Sequence, residues 1–158
     1  MEFSKSFFLR LVVGVGVCLL AGIVGGVFTR SAVQNWYPTL AKPVFTPPSW
    51  LFGPVWTVLY VLMGIAIAMI WHKSPGSNAA TVLFLVQLVF NVLWSLFFFG
   101  LRSPAVALVD ILLLWGTLLA TLLAFWRILP VSGILLMPYL LWVSYAAVLN
   151  ASIVYLNR

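Results

Sequence analysis

PAVALVDILLLWGTLLATLLAFW, residues 104–126, contains a single ionisable side chain, Asp110. A helix rising about 1.5 Å per residue needs about 20 apolar residues to cross a hydrocarbon core of about 30 Å, and this run is long enough. It does not alternate apolar and polar residues as a membrane-barrel strand would. Ser103 and Pro104 stand at its start in the order that suits a capped helix with proline in its first turn. The stretch therefore reads as a membrane-spanning helix.

Working outward, "RILPVSG" turns the chain into a second apolar run, and "GLRSP" and "HKSPGSN" separate two earlier ones. Five spans result, at about 7–28, 47–71, 79–101, 104–126 and 131–155. The whole chain is 65% hydrophobic and 6% charged, with a mean hydropathy of +1.19, too few charges to cover a water-facing surface. The expected fold is an all-α integral membrane protein, one domain over residues 1–158, built as a five-helix transmembrane bundle with a long first loop covering one end. Lys5 and Arg10 precede the first run as they would in a secretory leader. That run exceeds a leader's apolar core, and "FTRSAVQ" has no small-x-small cleavage site, so it reads as a retained span.

The net charge of +6 comes from single basic residues scattered at span ends, where they suit lipid headgroups; nucleic acid is excluded as a partner. Lys5, Arg10, Lys73 and Arg127 fall on one side, and Arg30, Lys42, Arg102 and Arg158 on the other. This even division does not fix the orientation. Cys18 is the only cysteine and lies in a span, so it has no internal disulfide partner.

Gly14, Cys18, Gly22 and Gly26 recur every four residues along the first span. Such a face permits close helix contact, either inside the monomer or in a homodimer. The first loop, about 29–46, carries Trp36 and Tyr37, which suit an interfacial position. Thr46 is a candidate cap for the second span. Pro43, Pro47 and Pro48 stiffen the approach to that span, and Pro54 removes a backbone donor inside it, shaping a mouth there.

Below that mouth, Trp56 and Tyr60 are four residues apart and share a helix face. Gln87, Asn91 and Ser95, with Trp94 alongside, repeat the spacing on the third span; Trp142, Ala146 and Asn150, near Tyr139 and Tyr145, repeat it on the fifth. Large π faces with a few fixed amides make a pocket suited to a flat, largely apolar ligand. The same residues also serve as interhelical hydrogen bonds and as an interfacial aromatic belt, and the pattern leaves both readings open.

"WYPTLAKPVFTPPSWLFGPVWTVLY", "QLVFNVLWSLFFFG", "ALVDILLLW" and "PYLLWVSYAAVLNASI" resemble, in order, the signature segments of the translocator protein family, also called tryptophan-rich sensory proteins or peripheral benzodiazepine receptors. The resemblance covers most of the chain beyond the first span. It implies a five-helix membrane bundle, often dimeric, that binds porphyrins and other hydrophobic ligands, and in some members sterols. Carried over by motif, the ligand-pocket tryptophans are Trp56 and Trp142, the pocket tyrosine and asparagine are Tyr60 and Asn91, and the small residue beside the second tryptophan is Ala146. Trp36 and Tyr37 match the covering loop, and Trp50 matches a position that is aromatic in many relatives.

Leu149, Tyr155 and Arg158 fit the loose pattern associated with sterol contact, a pattern that also arises by chance at helix ends. His72 lies sixteen residues beyond Trp56 on one span, roughly 24 Å away, so it is no axial ligand for a haem beside that tryptophan. Asp110 is a functional candidate as an intramembrane carboxylate, with a structural role as the safer implication of the resemblance. With only two acidic residues and no nucleophile, metal or phosphate motif, the sequence offers no catalytic residues, no metal site and no cofactor.

The expected function is thus a membrane receptor or binding protein for porphyrins and related hydrophobic ligands, with a sensory or transport role. Light-dependent porphyrin degradation and carriage of porphyrin or sterol are the alternatives. Expected partners are a planar hydrophobic small molecule, membrane lipid including sterol, and a second copy of the chain. The absence of an arginine-rich transit-like start suits a bacterial membrane better than the mitochondrial outer membrane.

Overall fold

The structure, a computed structural model, describes residues 5–158, and the chain forms five long helices without a strand among those residues. They are α1 (Lys5–Asn35), α2 (Ser49–Lys73), α3 (Asn78–Ser95), α4 (Pro104–Ile128) and α5 (Pro130–Leu156). A π-helical turn, Leu96–Gly100, extends α3, so that all five elements are long and apolar enough to cross a membrane. Successive helices run in opposite directions. Around the bundle, α1 packs between α2 and α3, α2 meets α5, and α4 closes the ring between α5 and α3.

The first helix continues seven residues past the expected boundary at 28. "TRSAVQN" contains neither proline nor glycine, and the Thr29 hydroxyl bonds its own helix at the Gly25 carbonyl, 2.9 Å away. The helix stops only where Pro38 follows Trp36 and Tyr37, and the covering loop begins there with a 3-10 turn, Tyr37–Thr39. The loop is correspondingly shorter than 29–46.

Thr46 does not cap α2. Its hydroxyl and its amide both donate to the Pro43 carbonyl, at 2.7 and 3.1 Å, closing a turn, and the helix starts after Pro48. Ser103 occupies the cap position of α4 without a side-chain capping bond. Helix α2 runs on through Pro54.

Backbone contact between α1 and α2 explains part of the four-residue glycine spacing. A Cβ on Gly14 would stand 2.6 Å from the Gly64 carbonyl oxygen, and one on Gly64 would stand 2.4 Å from the Val15 Cα. The small face therefore packs inside the monomer at this level. Toward the opposite end from the covering loop, the Arg10 guanidinium donates to the Trp71 carbonyl.

Aromatic and amide contacts join the other helices. Phe84 of α3 stacks on Phe125 of α4 at 5.9 Å. The Trp94 indole donates to Asn150 Oδ1 at 3.0 Å, and Asn150 Nδ2 donates to the Pro104 carbonyl at 2.8 Å, so one amide holds α3, α4 and α5 together.

The covering loop is tied to α5 at two points. Asn157 clips the Ala41 backbone from both sides, accepting from its amide at 3.0 Å and donating to its carbonyl at 2.9 Å. The Tyr145 hydroxyl donates to the Phe45 carbonyl at 2.6 Å. Within the loop, the Lys42 ammonium gathers the carbonyls of Tyr37, Pro38 and Leu40 at 2.9, 3.3 and 3.0 Å, and stands 5.0 Å from the Tyr37 ring centroid.

Candidate functional site

On α2, Phe52, Trp56 and Tyr60 recur every four residues and so stand in one row. Trp56 stacks on Tyr60, with ring centroids 5.6 Å apart and planes 28° from parallel. Opposite the row, α1 presents Gly22, Gly25 and Gly26. Gly22 is required there, because a Cβ on it would come within 2.5 Å of the Tyr60 ring. A cavity of about 400 Å³ lies between α1, α2 and the end of α3. Its walls are apolar apart from a few hydroxyl and indole groups, and its size falls within the range of small-molecule sites.

The third wall comes from Trp94, Ser95 and Phe99, at the point where α3 widens into its π turn. The Leu101 amide reaches the Leu96 carbonyl at 2.7 Å across that turn, and Phe98 and Phe99 both turn inward. Insertions of this kind re-aim side chains and are frequent at functional sites.

A buried hydrogen-bond chain fixes the floor. Tyr60 donates to Asn91 Oδ1 at 2.6 Å, and Asn91 Nδ2 donates to the Tyr139 hydroxyl at 2.8 Å. Asn91 thus bridges α2 and α5 from α3, and Tyr139 also packs edge-on against Trp56 at 6.0 Å. The amide expected among the ligand contacts is engaged by two tyrosines of the protein itself.

A second, much smaller void of about 20 Å³ lies under the covering loop between Tyr37, Ala146, Leu149, Asn150 and neighbouring rings. Phe52, Trp94 and Phe99 line both spaces and so form the partition between them. Trp142 and Tyr145 of α5 line neither space. Trp142 contacts Phe52 edge-on at 6.1 Å and Tyr145 at 5.6 Å, and its indole nitrogen is buried without a hydrogen-bond partner.

The sequence-based candidates therefore separate into groups. Trp56 and Tyr60 line the large cavity; Tyr37 and Ala146 line the small one; Asn91 lies in the buried chain and Trp142 behind Phe52. Trp36 follows the end of α1 and packs on Phe98 at 5.8 Å. Trp50 stands apart: it is 72% exposed, because six residues of helix turn it away from the face that carries Trp56.

In the segment compared with sterol sites, Leu149 is buried while Tyr155 is 69% exposed, and Arg158 lies over the Tyr155 ring at 5.4 Å. The three do not share a face. Burial pushes the Tyr37 phenol up to about 12, with the nearby Tyr145 adding to the shift; its hydroxyl has no hydrogen-bond partner. His72 packs against Phe7 at 5.1 Å at the far end of α2, and Asp110 is buried with Oδ2 unpartnered.

Phe52 and the glycine wall of α1 are among the contributors that were not anticipated. Phe52 could have been found by extending the Trp56 and Tyr60 spacing one step back toward the N-terminus. The glycine wall of α1 carried only the signal of its own spacing, which speaks of close packing and not of what packs there.

Residues 14–156 match the model of the TspO/MBR family. The chain is 46% identical over 153 residues to the tryptophan-rich protein TspO of Chlorobaculum tepidum, covering 94% of this chain and 96% of that one. It is 39% identical over 135 residues to the translocator protein of Bos taurus, with 83% and 80% covered. Against the tryptophan-rich sensory protein of Cereibacter sphaeroides the identity is 40% over 124 residues, 78% of each chain.

Proposed function

We propose, from the premise that the chain belongs to the TspO/MBR family, that this multi-pass membrane protein is a receptor for a flat hydrophobic ligand of the porphyrin class. The observation that carries the reading is the stacked Trp56–Tyr60 pair on the wall of a cavity of about 400 Å³ whose α1 side includes Gly26, where a Cβ would meet nothing within 4 Å. A planar guest suits such a cavity because one of its faces meets the aromatic rings of α2 while its other face meets apolar residues of α1. Aromatic stacking contributes about 1 kcal/mol beyond the burial of apolar area.

A tetrapyrrole also carries carboxylates, which need a cation near the headgroups. The Lys42 ammonium already gathers three loop carbonyls, whereas Arg30 is exposed four residues beyond Gly26, on the same side of α1. Arg30 is the better partner. The buried chain through Asn91 acts beneath the guest by holding Tyr60 in its stacked position.

Titration of purified protein with metal-free porphyrin, haem and a sterol tests this reading. Metal-free porphyrin is expected to bind saturably, and Trp56→Ala is expected to weaken it roughly tenfold, the equivalent of about 1.4 kcal/mol. Equal affinity of the wild-type and Trp56→Ala proteins would remove the cavity assignment.

A further inference from the structure

The cavity is not closed on all sides. Ile23 and Gly26 of α1 and Gly53 and Thr57 of α2 line it and are at the same time exposed on the outside of the bundle. A Cβ on Gly26 or Gly53 would meet nothing within 4 Å, unlike one on Gly22. Between the two helices there is thus a side opening, and Gly26 and Gly53 add no bulk to its rim.

Its depth places it in hydrocarbon. With the middle of α2 at the bilayer centre, Thr57 lies about 6 Å and Gly53 about 12 Å from that centre at the standard rise, inside a half-thickness of about 15 Å. The rim offers no free polar group to water. The Thr57 hydroxyl donates to the Gly53 carbonyl and the Thr29 hydroxyl to the Gly25 carbonyl, each at 2.9 Å. The end of the bundle, by contrast, is covered by a loop fastened through Asn157 and Tyr145.

We infer that this opening is a lateral window, that it takes a lipid acyl chain from the surrounding leaflet, and that guests reach the cavity through it from within the bilayer. An unbranched apolar chain matches an apolar gap at that depth, where water has nothing to bond. The route for the guest rests on the binding reading above; the acyl chain in the window does not.

Bilayers of phosphatidylcholine brominated near the middle of its acyl chains test the window by tryptophan quenching. The contribution of Trp56 is the difference between the wild-type and Trp56→Phe proteins, measured with and without Gly26→Phe, and again with and without Gly53→Leu. Quenching of that contribution in the wild-type background is expected, reduced by half or more when either glycine is replaced. A Trp56 contribution that bromine leaves untouched, or one quenched as strongly in Gly26→Phe and in Gly53→Leu as in the wild-type background, would overturn the inference.

For the guest, Gly26→Phe is expected to slow association of metal-free porphyrin several-fold, while Asn157→Ala leaves it unchanged. The reverse pattern would assign access to the loop. Failure of the porphyrin to bind the wild-type protein would end the binding reading, and the quenching would still decide the window.

Discussion

The Tyr60 ring occupies the space that a side chain at Gly22 would need: a Cβ there would lie 2.5 Å from one ring carbon and 2.7 Å from the next. Tyr60 cannot retreat freely, because its hydroxyl is bonded to Asn91 at 2.6 Å. Gly22→Ala is therefore expected to cost about 1–3 kcal/mol as an overpacking change and to tilt the ring out of its stack with Trp56. Thermal unfolding in detergent should show a lowered midpoint, whereas Gly26→Ala, which meets open space, should leave it near the wild-type value.

Asn91 satisfies two tyrosine hydroxyls in the middle of the bundle. Asn91→Leu, close to it in shape, leaves both without their amide partner, at about 1–3 kcal/mol for each stranded buried group. The double replacement Tyr60→Phe with Tyr139→Phe in the Asn91→Leu background removes the stranded groups and should recover part of the loss. Comparison of thermal midpoints across these variants checks the coupling.

The two bonds between Asn157 and the Ala41 backbone hold the covering loop to the end of α5. Asn157→Ala is expected to speed hydrogen exchange at the Ala41 amide and to make residues 40–46 more sensitive to protease, with little change at the core of the bundle. Exchange measured by mass spectrometry on the loop peptide and on an α4 peptide separates the local effect from general loosening.

Alkaline pH gives a further handle on the loop. The Tyr37 phenol is raised from 10.0 to about 12 by burial, so its neutral form is favoured in the folded protein. Its contribution to stability is complete below about pH 10 and is lost as pH rises toward 12, where the folded group also ionises. Wild-type stability should fall more steeply over this interval than that of Tyr37→Phe, as followed by thermal unfolding at stepped pH.

The spans were legible because run length alone decides whether a helix can cross a bilayer, and "PAVALVDILLLWGTLLATLLAFW" leaves no other reading. The end of α1 was harder to place: its last turn is polar, and polarity marks departure from hydrocarbon but does not end a helix, which here waits for Pro38. Trp56 and Tyr60 could be paired from spacing, since four residues bring side chains onto one face. Their opposite wall could not, because a glycine is informative only when its neighbour is known. Gly22 and Gly26 look alike in sequence, yet one is pressed against Tyr60 and the other faces open space. Trp142 lies outside the large cavity for a similar reason: whether an aromatic side chain faces a hollow depends on what stands in front of it, and Phe52 stands there.

A structure of the protein with bound metal-free porphyrin tests the central claim most directly. The macrocycle is expected in the cavity between α1, α2 and the end of α3, with one face on Trp56 and its edge toward Gly26 of α1. A macrocycle lodged between α2 and α5 against Trp142, or lying on the outer surface with the α1–α2 cavity empty, would contradict it.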